Sequence, residues 1–215
     1  MLKLYGHPFS SYTWKALIAL YVNGTPHEFR ALGSGNAADD GFVSAASPQG
    51  KFPVLVDGET VVFEATAIIE HLNLHHLGPV PLLPSDPADA ARMRMIDRVF
   101  DNYVMGIMQE SVGEAIRLGA LSAETRADVE ARLDRSYRWI EGWLATYRQR
   151  GAITLIECAA APSLFYADWV YPIPEDLHRL KAWRAHLLAL PAVARCVDDA
   201  RPYRHFFPLG APNRD

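Results

Sequence analysis

The chain has 215 residues, half of them apolar and 21% charged, a composition that fits one large or two small globular domains. A total of 21 basic against 25 acidic residues gives a net charge of −4, and no basic stretch stands out, so no nucleic-acid partner is expected. Its two cysteines, Cys158 and Cys196, are far apart and form no CxxC pair, which excludes a disulfide framework or a zinc-ribbon pattern and suits a reducing compartment.

Residues 1–5 run straight into a strand-like pattern and lack the apolar core of a signal peptide. The longest unbroken apolar run, residues 16–22, is far short of the ~20 residues that span a bilayer. A cytoplasmic protein with no membrane partner is expected.

Residues 2–5 read as a strand that Gly6-His7-Pro8 breaks. A helix starts near Ser10, where Trp14, Leu17, Ile18, Tyr21 and Val22 follow the i, i+3, i+4, i+7, i+8 rule of one apolar face. Asn23-Gly24 ends it. Residues 27–32 form a second strand and 33–41 a loop rich in Gly, Ala and Asp. After Pro48-Gln49-Gly50-Lys51-Phe52-Pro53 comes the apolar run Val54-Leu55-Val56, with Asp57-Gly58 as a hairpin turn and residues 60–63 returning. Ala65, Ile68, Ile69 and Leu72 mark the next helix, which gives the order β-α-β-(loop or short helix)-β-β-α.

Residues 78–87 carry four prolines and read as a linker. This divides the chain into residues 1–77, the linker 78–87, and an all-helical part over 88–215. In that part Met93, Ile96, Phe100, Tyr103 and Ile107 keep a 3-4-3-4 spacing, as do Leu133, Tyr137, Ile140, Leu144 and Tyr147. Thr154 and Glu157 fit a capping box, and the small residues Ala159-Ala160-Ala161 before Pro162 suggest a central buried helix kinked at the proline. Further helices are expected near Glu175 and Pro191, with an irregular tail over 201–215.

Three pieces of the first part carry chemistry. Ser10-Ser11 stands at a helix N-terminus, where unpaired amides and the helix dipole favour an anion; the plain alternative is a capping serine. Pro53 precedes a strand, and a cis Phe52–Pro53 bond would turn the backbone of Phe52 toward that helix end to pair with a peptide-like ligand. Glu64 can accept from an ammonium, and the Ala65 amide at the next helix start can hold a carboxylate.

The segments Leu4-Tyr5 to Ser10, Ser47-Pro48-Gln49-Gly50-Lys51-Phe52-Pro53-Val54-Leu55 and Phe63-Glu64-Ala65-Thr66-Ala67-Ile68 resemble the glutathione-binding domain of the soluble glutathione transferases. The capped helix after Thr154 is similar to that family's sixth helix, and residues 194–208 look like a bacterial-type C-terminal segment.

The resemblance implies a thioredoxin-like domain over 1–77 and an all-α domain over 88–215 that supplies an electrophile pocket. It makes Ser10 the catalytic hydroxyl, with Ser11 as understudy. Phe52 pairs by its main chain with the cysteinyl part of glutathione, beside the cis Pro53. Glu64 and Ala65 hold the γ-glutamyl end, and Lys51 reaches the glycine carboxylate. Ala65 departs from the usual serine, which removes one ligand hydrogen bond unless Thr66 or water replaces it. Glutathione is the expected co-substrate and a homodimer the expected assembly.

Because no cysteine stands at the helix start, the nucleophile implied is the glutathione thiolate, and glutaredoxin-like disulfide chemistry is disfavoured. Phe9, Tyr103, Ile107, Tyr166, Trp169 and Phe206 are the candidates for lining the electrophile pocket. A glutathione-dependent isomerase is the close alternative. Ser10-Ser11-Tyr12-Thr13-Trp14 resembles the zeta-like maleylacetoacetate isomerases, with Tyr12 where their cysteine would be. A non-catalytic binding protein on the same fold is the other alternative. Finally, His71, His75 and His76 cluster, and His71 and His75 have the i, i+4 spacing of a metal-binding pair, but the sequence shows no matching third ligand, and no metal is expected.

Overall fold

In the computed structural model, which describes residues 1–33, 35–147 and 152–215, strand β1 (Leu2–Gly6) buries Leu2 and Leu4 on the core side. Helix α1 (Ser11–Val22) carries the chain back to β2 (His27–Ala31), which pairs parallel to β1 with Leu4 opposite Phe29. Strand β3 (Val54–Asp57) pairs antiparallel to β1 with Leu55 opposite Leu4, and β4 (Thr60–Phe63) closes a hairpin on β3. Gly58 holds a φ of +60° in that turn, a conformation open to glycine at little cost. The sheet order is β2-β1-β3-β4, and α3 (Ala65–His75) buries Ala65, Ile68, Ile69 and Leu72. With the helices of the C-terminal part, this is a thioredoxin-like unit joined to an all-α region.

The structure revises several readings of the sequence. Helix α1 is buried on all sides rather than on one stripe: Ser11, Thr13 and Lys15 are inside as well as Trp14, Leu17 and Ile18. It lies between α3 and the later helices α7 (Leu155–Val170) and α9 (Pro191–Ala200), so only Tyr12 at its start and Tyr21 and Val22 at its end are partly exposed. Part of the expected 33–41 loop is the start of α2 (Ala37–Ala46), and Ser34 within it lies outside the described residues.

The expected linker is anchored. Asn73 Oδ1 accepts from the amides of Leu82 and Leu83 at 3.0 and 3.2 Å, and both leucines are buried. Asn23 exchanges hydrogen bonds with the Val80 backbone, and Pro87 is already the first residue of α4 (Pro87–Phe100), capped by Asp86.

From α4 the chain passes through a π-helical turn (Asp101–Met105) into α5 (Gly106–Leu118), then α6 (Ala123–Leu144). The π-turn inserts a residue and rotates the next helix, so Tyr103 leaves the 3-4-3-4 stripe and is exposed while Ile96, Phe100 and Ile107 stay buried. Helix α7 forms the expected capping box: the Thr154 amide donates to Glu157 Oε2 at 2.8 Å, and the Ile156 amide donates to Thr154 Oγ1 at 3.3 Å. Every residue from Leu155 to Trp169 is buried, and the helix continues through Pro162.

Helix α8 (His178–Ala189) starts three residues beyond Glu175, because a turn from Pro174 to Leu177 precedes it. The expected tail begins instead as a 3₁₀ turn (Arg201–Phe206). Its far end is pinned by the Asp215 carboxylate against Arg201 at 2.6 Å and against Arg204.

Candidate functional site

The loop from His7 to Ser10 is set by hydrogen bonds to its own carbonyls. Trp14 Nε1 donates to Pro8 O at 2.6 Å, and the Tyr166 hydroxyl of α7 donates to Phe9 O at 2.9 Å. The Phe9 amide donates to His7 Nδ1 at 3.1 Å, and burial lowers the His7 pKa, which favours the neutral imidazole that accepts it. Ser10 then caps α1, its Oγ accepting from the Thr13 amide at 3.2 Å. The amides of Ser11 and Tyr12, at the first two helical positions, have no acceptor within the helix.

A second wall comes from the turn before β3. Gly50 donates to Ser47 O at 3.0 Å with a φ of +60°, and Ser47 Oγ donates to Lys51 O at 2.9 Å. The Phe52–Pro53 bond is cis, and Pro53 is buried beneath an exposed Phe52. The third wall is the N-terminus of α3. Glu64 precedes it with a φ of +67°, the single non-glycine in the left-handed region among the described residues, a conformation that costs about 1–3 kcal/mol and is held by its surroundings.

Below this end lies a buried ionic cluster. Lys15, 1% exposed, reaches Asp97 at 2.5 Å, Asp101 at 2.7 Å and Thr66 Oγ1 at 2.8 Å. Arg98 approaches from the solvent side and pairs with both aspartates. Burial pushes the Asp101 carboxyl above its ordinary range, and the Lys15 ammonium opposes that shift. The cluster ties α1, α3 and α4 together under the site, and replacing one partner of such a buried set costs about 3–5 kcal/mol.

Two cavities meet here. The first, about 290 Å³, is the more polar of the two and holds Gln49, Glu64, Ala65, Arg98, Asp101 and Asn102 beside Phe52 and Pro53. The second, about 650 Å³, is more apolar and holds Phe9, Ser10, Ser11, Met108, Val112, Ile116, Tyr166 and Phe206. Tyr12, Lys51 and Phe52 line both, so they form one cleft with a polar and an apolar end.

Of the residues singled out in the sequence, Ser10, Ser11, Lys51, Phe52, Pro53, Glu64, Ala65, Phe9, Tyr166 and Phe206 line this cleft. Tyr103 and Ile107 do not. They belong to a separate groove of about 610 Å³ that shares no residue with the cleft, with Met95, Val99, Arg132 and Trp139. Trp169 stands behind the lining, with its ring centroid 6.2 Å from Phe9 and 5.2 Å from Phe207. Thr66 is unavailable as a substitute for the missing serine hydroxyl, because its Oγ1 donates to Asp97 at 2.9 Å and accepts from Lys15. Sequence reasoning misses Arg98, Asp101, Asn102, Met108 and Val112. They come from helices remote in sequence, and only their topological return brings them to the α1 and α3 ends.

Burial, the Asp101 carboxylate and nearby Glu64 push the Tyr12 phenol up to about 12, against a smaller opposing effect of Arg98. It is a neutral donor at ordinary pH. Tyr166 is committed to Phe9 and raised well above the ordinary tyrosine range by burial, so it shapes the cleft without offering a proton.

Residues 4–79 match the family model for the glutathione S-transferase N-terminal domain. Glutathione S-transferase Z1 of Arabidopsis thaliana is 37% identical over 204 residues, covering 92% of this chain and 86% of that protein. The chain belongs to the glutathione S-transferase family. Among solved structures, a maleyl pyruvate isomerase described as a bacterial glutathione S-transferase of the zeta class is 26% identical with a TM-score of 0.74, covering 99% of this chain and 100% of that one. A glutathione S-transferase of Methylobacterium radiotolerans in complex with glutathione sulfonate is 25% identical with a TM-score of 0.74, covering 91% of this chain and 94% of that one. The family model spans β1 to α3, and the relatives extend the likeness through the helical region that closes the apolar end of the cleft.

Proposed function

We propose that this family member is a serine-type glutathione transferase that activates the glutathione thiol for attack on a small apolar electrophile. The observation that carries the reading is the junction of the two half-clefts at Tyr12, Lys51 and Phe52, with Ser10 and Ser11 beside it in the apolar half, an arrangement that suits a peptide-like ligand on one side and an apolar molecule on the other. Glutathione lies in the polar half. Its γ-glutamyl end faces Glu64 and the Ala65 amide, its cysteinyl backbone pairs with Phe52, and its glycine carboxylate faces Lys51. The similarity to a relative in complex with glutathione sulfonate supports glutathione as the ligand.

The chemistry rests on Ser10. A hydroxyl offers one donor and two acceptor sites. The Thr13 amide takes one acceptor, which leaves the proton for a thiolate at the helix end. A free thiol titrates near 8.5, so a reduction of about two units, worth about 2.7 kcal/mol, makes most of it reactive at neutral pH. The hydroxyl donor, the free helix amides and the dipole act in that direction.

A glutathione-dependent isomerase of the zeta-like type is the second reading, favoured by the likeness to the maleyl pyruvate isomerase over 99% of this chain. In both readings the chain works as a homodimer. The separate groove of Met95, Val99, Tyr103 and Trp139, in which Met95, Tyr103 and Trp139 are exposed, is the surface we assign to a second copy.

Steady-state assays with glutathione and a panel of apolar electrophiles, beside a maleyl-type cis-diacid, test the reading. Conjugation that falls when Val112→Arg fills the apolar half supports the transferase. Turnover of the cis-diacid alone selects the isomerase. No turnover with either, in a chain that still binds glutathione, leaves a binding protein.

A further inference from the structure

In the sequence His71, His75 and His76 cluster, with His71 and His75 as the i, i+4 pair and no matching third ligand; the fold supplies Asp57 and selects His71 and His76 instead. Asp57, at the tip of the β3–β4 hairpin, meets the C-terminal turn of α3. His71 Nε2 lies 3.0 Å and His76 Nε2 2.6 Å from the same oxygen, Asp57 Oδ2. One ligand atom from each of the three residues falls within 4.8 Å of the others. We propose that Asp57, His71 and His76 form a binding site for one first-row divalent transition-metal ion, of the Zn²⁺, Ni²⁺ or Cu²⁺ type.

Donor chemistry sets the class. Imidazole suits zinc, nickel and copper, whereas magnesium and calcium take mainly oxygen ligands. A tetrahedral zinc with bonds of about 2.0–2.2 Å holds its donors roughly 3.3 Å apart. Nitrogens already 2.6 and 3.0 Å from one carboxylate oxygen need to open by less than an ångström. A metal ion then takes the place of the protons that now bridge the group.

The ion has a way in. The side chains of His71, Asp57 and His76 are 13, 27 and 29% exposed, which shields the donors and leaves one coordination position to water. Two chain elements contribute, so bound metal ties the hairpin to the end of α3. The His75 ring is exposed, with its centroid 4.6 Å from that of His71, and stands outside the triad. His71 stands six residues beyond Ala65 on α3, about 9 Å of helix rise, and none of Asp57, His71 and His76 lines the cleft, so the site is independent of the glutathione reading.

Titration calorimetry of the untagged full chain with zinc sulfate, and visible absorbance with cobalt chloride, test the proposal. One zinc ion binds per chain. His71→Ala and Asp57→Asn, the latter preserving side-chain shape, each weaken it at least about tenfold. His75→Ala changes it less than threefold, and zinc raises the melting temperature of the parent but not of the two triad variants. Circular dichroism of the metal-free variants verifies their fold, with His76→Gln as the replacement should one misfold. A parent that takes up no zinc even with the metal in large excess overturns the proposal. Triad variants that bind like the parent also overturn it, as does a loss carried by His75 instead of His76, which would mark the helical i, i+4 pair as the site.

Discussion

Ser10 Oγ accepts the Thr13 amide at 3.2 Å, so the oxygen that caps α1 keeps its own proton to give. Capping and the proposed catalysis therefore use different parts of one hydroxyl and can be separated. Ser10→Ala removes both and lowers stability by about 1 kcal/mol. Ser10→Asp restores the acceptor and recovers that stability in denaturant melts. The carboxylate has no proton to donate, so this variant stays as deficient in turnover as the alanine. Full activity in Ser10→Asp contradicts the assignment.

Ala65 is buried at the first position of α3, facing the polar half-cleft, and the nearby Thr66 hydroxyl is engaged by Asp97 and Lys15. Thr66 thus does not replace the missing serine hydroxyl. Ala65→Ser adds one ligand hydrogen bond worth about 0.5–1.5 kcal/mol, which tightens glutathione by about two- to tenfold in titration calorimetry. An unchanged or weaker affinity removes Ala65 from the ligand site.

Tyr12 gives a dependence on pH. Its phenol titrates near 12 in the fold and near 10 in the unfolded chain, so the native state holds this proton more tightly. The stabilisation is fully present below pH 10 and is lost as pH rises from 10 to about 12. Tyr12→Phe flattens that part of the stability profile and leaves unchanged the lower pKa of the bound thiol. Should the variant instead raise the thiol pKa, Tyr12 rather than Ser10 is the donor to sulfur.

Most of the sheet and its connections are legible in the sequence because short-range rules agree with long-range packing. Alternation at Leu2 and Leu4, the Asp57-Gly58 turn and the Thr154–Glu157 box each specify local structure. The features that escape a sequence reading depend on partners. Lys15 marks a solvent face by its charge, yet it is buried because Asp97 and Asp101 arrive from 80 residues or more away. The π-turn at Asp101–Met105 breaks the helical period that places Tyr103 in the electrophile pocket. Asp57 carries no sign in sequence of its meeting with His71 and His76.

The correction at Tyr103 has its own consequence. Met95 and Tyr103 are each 58% exposed and Trp139 is 48% exposed around one apolar groove, which the proposed homodimer buries. Trp139→Glu places a charge in that interface and shifts the chain to a monomer in sedimentation velocity, with the helical circular dichroism spectrum retained. A parent that is monomeric at assay concentrations, or a variant that stays dimeric, rejects this surface as the contact.

The central claim is that the cleft binds glutathione and ionises its thiol. The most direct measurement is the ultraviolet thiolate absorbance of glutathione titrated with pH on the parent protein. The predicted result is a bound thiol whose pKa lies about two units below the free value near 8.5, with a return toward that value in Ser10→Ala. A bound thiol that titrates like free glutathione in the parent, or binding that does not saturate, contradicts it.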